Sequence, residues 1–201
     1  MKGYPTLKIF RNGELSSDYN GPREAVGITK FMKSQVGPAS REVKTVAEAE
    51  KIFAKNEVVV FGFGDQKDML KAAAKLRETV VFAHTTSEEV MAKLGHTDAV
   101  VLFRPKSLAN KFEAAELKYE SSEPVDKWVM ANYHGLCGVR TMDNTADFKA
   151  PLVTAYFGVD YVKNVKGTNY WRNRVMKVAA DFEGYNFAIA NKDDFQSELS
   201  E

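Results

Sequence analysis

Leu7-Lys8-Ile9-Phe10-Arg11-Asn12-Gly13, entered through Gly3-Tyr4-Pro5-Thr6, is the stretch whose reading decides the fold. Proline fixes its own φ and has no N–H, so Pro5 cannot lie inside a central strand ladder, but it can open a strand. The Tyr4–Pro5 bond in that tight spot is a candidate cis peptide. Leu7, Ile9 and Phe10 then read as a strand, Asn12-Gly13 as a type I′ hairpin turn, and Tyr19 as part of the returning strand. Gly21-Pro22-Arg23 leads into an amphipathic helix with Ile28, Phe31 and Met32 on its inner face. Turn, strand, hairpin, strand and helix make the closing half of an α/β layered domain, and the half expected to carry the chemistry is absent.

Composition excludes several classes. The 201 residues are 44% hydrophobic and 27% charged, which is ordinary globular material. No apolar run approaches the roughly 18 residues that span a bilayer, and no apolar segment follows Met1-Lys2-Gly3 as a signal peptide requires, so no membrane insertion is expected. A net charge of +1 with no long basic run gives no reason to expect nucleic acid as a partner. One cysteine, Cys137, rules out an internal disulfide, a Cys-x-x-Cys pair and a cysteine zinc cluster. His84, His96 and His134 lack metal spacing and read as structural or solvated, so neither metal nor cofactor is expected. No Asn-x-Ser/Thr sequon occurs.

Gly37-Pro38-Ala39-Ser40 marks a boundary between a finished helix and a new periodic segment. Beyond it the pattern predicts a helix from Val46 to Ala54 capped by Thr45, a strand Val58–Phe63 and a helix Asp68–Leu76. A strand Val80–His84 follows, then a helix introduced by a Thr86-x-x-Glu89 capping box and a strand Ala99–Phe103. A hairpin through Lys111-Phe112-Glu113 returns to Leu117-Lys118-Tyr119, and a helix Val125–Asn132 closes the unit. Two strands joined by a helix imply a right-handed parallel crossover. A second copy then begins: Thr141–Phe148 resembles Thr45–Phe53, and Pro151–Gly158 repeats the apolar strand that ends in Phe61-Gly62. A long helix, a strand Asn186–Ala190 and a helix over Asp193–Leu199 follow. The expected architecture is α/β, tandem three-layer α/β/α sandwiches with the first and last incomplete: residues 1–36 a closing half, 37–138 a complete domain, 139–201 an opening part.

In a layered domain of thiol chemistry the nucleophilic thiolate sits just after the first long strand, at a helix N-terminus that lowers its pKa. Those slots hold Phe63-Gly64-Asp65-Gln66 and Gly158-Val159-Asp160, and Asp98 stands where a proline would face the site. Exchange needs a thiolate attacking a sulfur, so both domains are expected to be redox-inert. Gly62-Phe63-Gly64 lacks the third glycine of a dinucleotide fingerprint. Cys137, between Leu136 and Gly138, reads as a buried thiol. In the long helix, Trp171, Val175, Val178, Ala179 and Phe182 are expected to face the core. Lys163, Lys166, Tyr170, Arg174 and Lys177 share another face, either a solvated basic surface or a docking surface for an acidic segment with Arg174 as bidentate anchor.

The motifs Gly3–Gly13, Tyr19-x-Gly21-Pro22-Arg23, Phe82-Ala83-His84-Thr85, Leu102-Phe103-Arg104-Pro105, Val159-Asp160-Tyr161 and Lys166-Gly167-x-Asn169-Tyr170-Trp171-Arg172-Asn173-Arg174-Val175 resemble the protein disulfide isomerase family, in particular its glycoprotein-directed branch in the endoplasmic reticulum. The resemblance covers essentially the whole chain and implies tandem thioredoxin-like domains: the end of an a domain, a complete b domain and the start of b′. It implies that Pro5 is the cis-proline facing a redox disulfide and Arg23 an arginine that tunes its thiol pKa. It implies that Lys111, Lys166 and Arg174, with Tyr170 beside them, contact the acidic tip of calnexin and calreticulin, which present glycoprotein clients in the lumen of the endoplasmic reticulum. Both Cys-Gly-His-Cys sites would lie outside this chain, so no catalytic residue is expected within it, the parent being the enzyme. The rival expectation is a redox-dead adaptor, complete as given. The two half-domains are expected to be marginal, each with an uncovered sheet edge.

Overall fold

The computed structural model describes residues 7–11, 13–19, 24–55 and 57–200, which fall into two compact units, residues 1–36 and 37–201. Pro5 and Arg23 lie outside the described residues. In the first unit β1 (Leu7–Arg11) and β2 (Glu14–Tyr19) form an antiparallel hairpin, with Gly13 at φ +85° in the turn, where a Cβ is disfavoured. The register slips between Ile9, opposite Ser17, and Phe10, opposite Leu15. Helix α1 (Ala25–Gln35) sets Phe31 edge-on to Tyr19 at 4.9 Å, while Ile28 is half-buried. Met32, expected on the inner face, is instead exposed, because two strands are too narrow to cover the full width of an apolar helix face.

The second unit contains two sheets. One has five strands in the order β3 (Arg41–Glu42), β5 (Val81–Thr85), β4 (Val59–Phe63), β6 (Ala99–Phe103) and β7 (Glu116–Lys118). β3, β4 and β5 run parallel, and β6 and β7 complete the sheet antiparallel. The strand period of two divides its side chains between two cores. Val59, Phe61, Phe63, Val101 and Phe103 meet Ala49 and Ile52 of α2 (Val46–Phe53) and Val90 of α4 (Glu88–Leu94). On the other face Val60, Val100 and Leu102 meet Met69, Ala72 and Ala73 of α3 (Lys67–Leu76) and Trp128 and Val129 of α5 (Val125–Asn132). The helices flank the sheet on both sides, giving a complete α/β/α layer. Thr45 accepts a hydrogen bond from Glu48 N while Glu48 Oε2 accepts from Thr45 N, so the capping box of α2 forms.

Two expectations for this layer change. The capping box Thr86/Glu89 does not form, and Ser87 is the N-cap of α4. Thr85 Oγ1 donates to Val43 O and accepts from Ser87 N, which pins the chain and starts the helix one residue later. The two-residue strand β3 carries no apolar alternation and was not legible in the sequence.

The other sheet is wholly parallel, in the order β8 (Gly138–Arg140), β10 (Asn186–Asn191), β9 (Leu152–Phe157). Helix α6 (Val165–Ala179) crosses between β9 and β10, and α7 (Gln196–Leu199) follows. The segment Thr141–Phe148, expected to repeat α2, makes only a 3₁₀ turn over Thr145–Asp147. Asn144 explains the difference: its Oδ1 accepts from Thr141 N at 2.7 Å and its Nδ2 donates to Val139 O at 3.0 Å, a local closure that competes with a helix. The expected core stripe of α6 is also rotated. Thr168, Arg172, Met176 and Ala179 are buried and Val175 is half-buried, whereas Trp171, Val178 and Phe182 are about half exposed. Arg172 turns inward to reach carbonyl oxygens, and that turns the apolar stripe to one flank.

Candidate partner-docking site

The slots that thiol chemistry would use hold hydrogen-bonding groups. After β4, Gly64 takes φ +79° and Gln66 Nε2 donates to Phe63 O at 3.0 Å and to Asp98 Oδ1 at 2.9 Å. Asp98, at φ +46°, is held in the left-handed region in which only Gly, and to a lesser degree Asn and Asp, is at ease. An amide–carboxylate pair thus occupies the mouth of the strand. Cys137 is fully buried, and burial pushes its thiol up to about 12, with the Arg172 charge only partly offsetting it. At neutral pH such a sulfur is a thiol, not a nucleophile. The histidines serve packing and pairing: His84 bonds Ser40 at 2.8 Å, His96 bonds Glu116 at 2.8 Å, and His134 stacks on Phe148 at 4.1 Å between centroids.

Charge collects elsewhere. Helix α6 has Lys166, Arg172, Arg174 and Lys177 and not one Asp or Glu. Lys166, Tyr170 and Arg174 are four residues apart, so they line one exposed face. The Arg174 guanidinium lies over the Tyr170 ring at 4.3 Å and near that of Trp171 at 5.5 Å, and it donates to the Tyr170 hydroxyl. Stacking fixes the fork of the guanidinium with its remaining N–H groups free for a planar acceptor such as a carboxylate. Among the described residues no carboxylate pairs with Lys111, Lys166 or Arg174.

The loop that carries Lys111, some sixty residues earlier, packs on this helix. The 3₁₀ turn Lys106–Leu108 and the residues after it lie against α6: Asn169 Nδ2 donates to Ser107 O at 2.7 Å, and Arg172 Nη1 to Leu108 O at 3.2 Å. Phe112 packs in the same core cluster as Val175 and Tyr161. Lys111 itself is exposed, its ammonium 5.4 Å from the Phe112 ring centre. The sequence reading named the exposed cations but missed the groups that join their elements, Asn169, Arg172 and Glu113. One signal was available: Thr168, Arg172, Met176 and Ala179 also recur at helical spacing, which makes Arg172 an inward residue.

Comparison with known proteins agrees with this fold. A family model described as "Thioredoxin-like domain" matches residues 63–201. The chain belongs to the thioredoxin-like family. Within that family it matches part of the protein disulfide isomerases. Along its full length it is 43% identical to "Protein disulfide-isomerase A3" of Gallus gallus, of which it covers 43%. It is 35% identical to "Probable protein disulfide-isomerase ER-60" of Schistosoma mansoni, of which it covers 44%. The chain therefore spans less than half the length of these curated relatives. The crystal structure of the bb fragment of ERp72 matches with a TM-score of 0.70 and 30% identity, over 82% of this chain and 79% of that one.

Proposed function

We propose that this chain is the non-catalytic midsection of an oxidoreductase of the endoplasmic reticulum lumen, a protein disulfide isomerase acting on glycoproteins, and that its own part is to dock a chaperone. The partners are calnexin and calreticulin, which would present an acidic segment to Lys111, Lys166, Tyr170 and Arg174. The observation that carries this reading is the convergence of the Lys111 loop on α6, a helix with three exposed cations and no carboxylate. Names such as ER-60 and ERp72 among the relatives support the compartment. With a single buried cysteine, the chain should read background in a disulfide-reductase or scrambled-substrate assay; turnover would reject its inert role.

The docking itself is tested by calorimetry of the chain with calreticulin. Arg174→Ala is expected to weaken binding by roughly 1–3 kcal/mol, the scale of a charge-assisted contact. Unchanged affinity removes Arg174, and with it the proposed anchor, from the interface.

A further inference from the structure

Glu113 is the point at which three parts of the second unit meet. Its carboxylate accepts from Leu136 N at 2.5 Å, just before Cys137 and β8, and from Asn110 Nδ2 at 3.3 Å within its own loop. It lies 3.4 Å from the Arg104 guanidinium at the end of β6 and 3.8 Å from that of Arg172 on α6. Arg172 in turn donates through Nε to Cys137 O at 2.9 Å and through Nη1 to Leu108 O, and Arg104 donates to Asn132 O at 3.1 Å. The side chains of Arg104, Glu113 and Arg172 are 9%, 11% and 2% exposed.

A buried ion triad is a poor device for stability alone, since apolar side chains of similar volume often serve as well or better. What it supplies is a geometry, because each charge must keep several directional partners. Here those partners come from the five-stranded layer, from the segment leading to β8 and from α6. The loop is tied down on both sides of Lys111. Asn110 Oδ1 accepts from Phe112 N at 2.8 Å and from Glu113 N at 2.9 Å, and Glu113 anchors the far end.

We infer that Glu113 is a positioning residue of the docking surface: through Arg172 it clamps the Lys111 loop to α6, so that cations from two layers meet one acidic segment at a fixed spacing. This rests on the docking reading above. Without the clamp the loop is held to α6 only through Ser107 and Leu108, so Lys111 gains freedom relative to Lys166 and Arg174, and the entropy of ordering it falls on the binding step.

The test is a set of calorimetric titrations of the full chain with calreticulin, in the wild type and in Glu113→Gln, each with Lys111→Ala or Arg174→Ala added. In the wild type each of the two alanine substitutions is expected to weaken binding. Glu113→Gln alone is expected to weaken it about three- to tenfold, and on that background Lys111→Ala should cost nothing further while Arg174→Ala keeps its loss. A merely structural Glu113 would lower stability and leave the Lys111 contribution whole, and that result overturns the inference. Absent wild-type binding, or an Arg174→Ala variant that binds normally, rejects the docking reading instead. Should Glu113→Gln fail to give a native circular dichroism spectrum, Arg172→Lys, which keeps a cation opposite Glu113 but loses the fork that also reaches Cys137 O and Leu108 O, replaces it. A reduced Lys111 contribution there supports the clamp, and an unchanged one rejects it.

Discussion

β4 and β9 are the same kind of strand, an apolar run ending in phenylalanine, and each has a parallel neighbour on one edge. They differ on the other edge. β4 has the antiparallel β6 there, and all five of its residues are buried. Among the described residues nothing pairs the second edge of β9, Val153 is 42% exposed, and the rest of the strand is only half-buried. The flank of α6 beside it tells the same story: Trp171, whose ring lies 6.4 Å from that of Phe157, is half exposed. An apolar strand therefore encodes a demand for neighbours, and its burial is a property of the sheet that meets the demand.

Amide hydrogen exchange should break that comparison open most widely. Every interior amide of β4 has a sheet partner, so its exchange should require opening of the whole layer. Alternate amides of β9 point away from β10 and should exchange orders of magnitude faster, in a period-two pattern. Uniform protection along β9 would mean that something covers its edge in solution. Substitution gives the next largest contrast. Phe61, fully buried among the rings of Phe53, Phe63 and Phe103, should cost about 3–5 kcal/mol as Phe61→Ala in urea unfolding. Val153→Ala should cost roughly 1 kcal/mol or less, since the side chain already meets solvent. Equal costs would erase the distinction between the strands.

A smaller contrast concerns the segments that lead into the two strands. Thr45 caps α2, and Thr45→Ala should cost about 1 kcal/mol. Thr141, at the matching place, stands four residues before the 3₁₀ turn Thr145–Asp147, and the closure there comes from the Asn144 side chain, so Thr141→Ala should stay within about 0.5 kcal/mol. If the two losses match, a capped helix forms in solution where the structure has the turn.

These pairs also show where the sequence was readable. Long apolar strands and the Thr45 box were legible because each signal lies within one segment. Helix Val125–Asn132 was placed to the residue for the same reason. β3 and β8 were not, since strands of two and three residues exist only through pairing with β5 and β10. In the candidate site the exposed cations were legible as a spacing on one helix face. The inward turn of Arg172 and its link to Glu113 were not, because 59 positions separate the two in sequence and no local pattern marks a carboxylate that a distant guanidinium will need.

The smallest effect expected is at the join between the two layers, where His134, two residues beyond α5, stacks on Phe148 after the 3₁₀ turn. Burial holds its imidazole below the ordinary 6.5, while Asp147, 3.6 Å away, pulls the other way without overcoming it. The folded chain therefore resists a proton that the unfolded chain accepts. The contribution of His134 to stability is complete above pH 6.5, declines as pH falls through that value, and levels off below the depressed folded pKa. His134→Phe keeps a ring against Phe148 and removes the proton, so the difference in urea midpoint between variant and wild type should widen in favour of the variant from pH 7 to pH 5. Asp147→Asn should steepen the decline of the wild-type imidazole by taking away its opposing charge. A flat difference across that range would show that His134 is solvated, and the close stacking that fastens the turn of the second layer to the first would then be absent in solution.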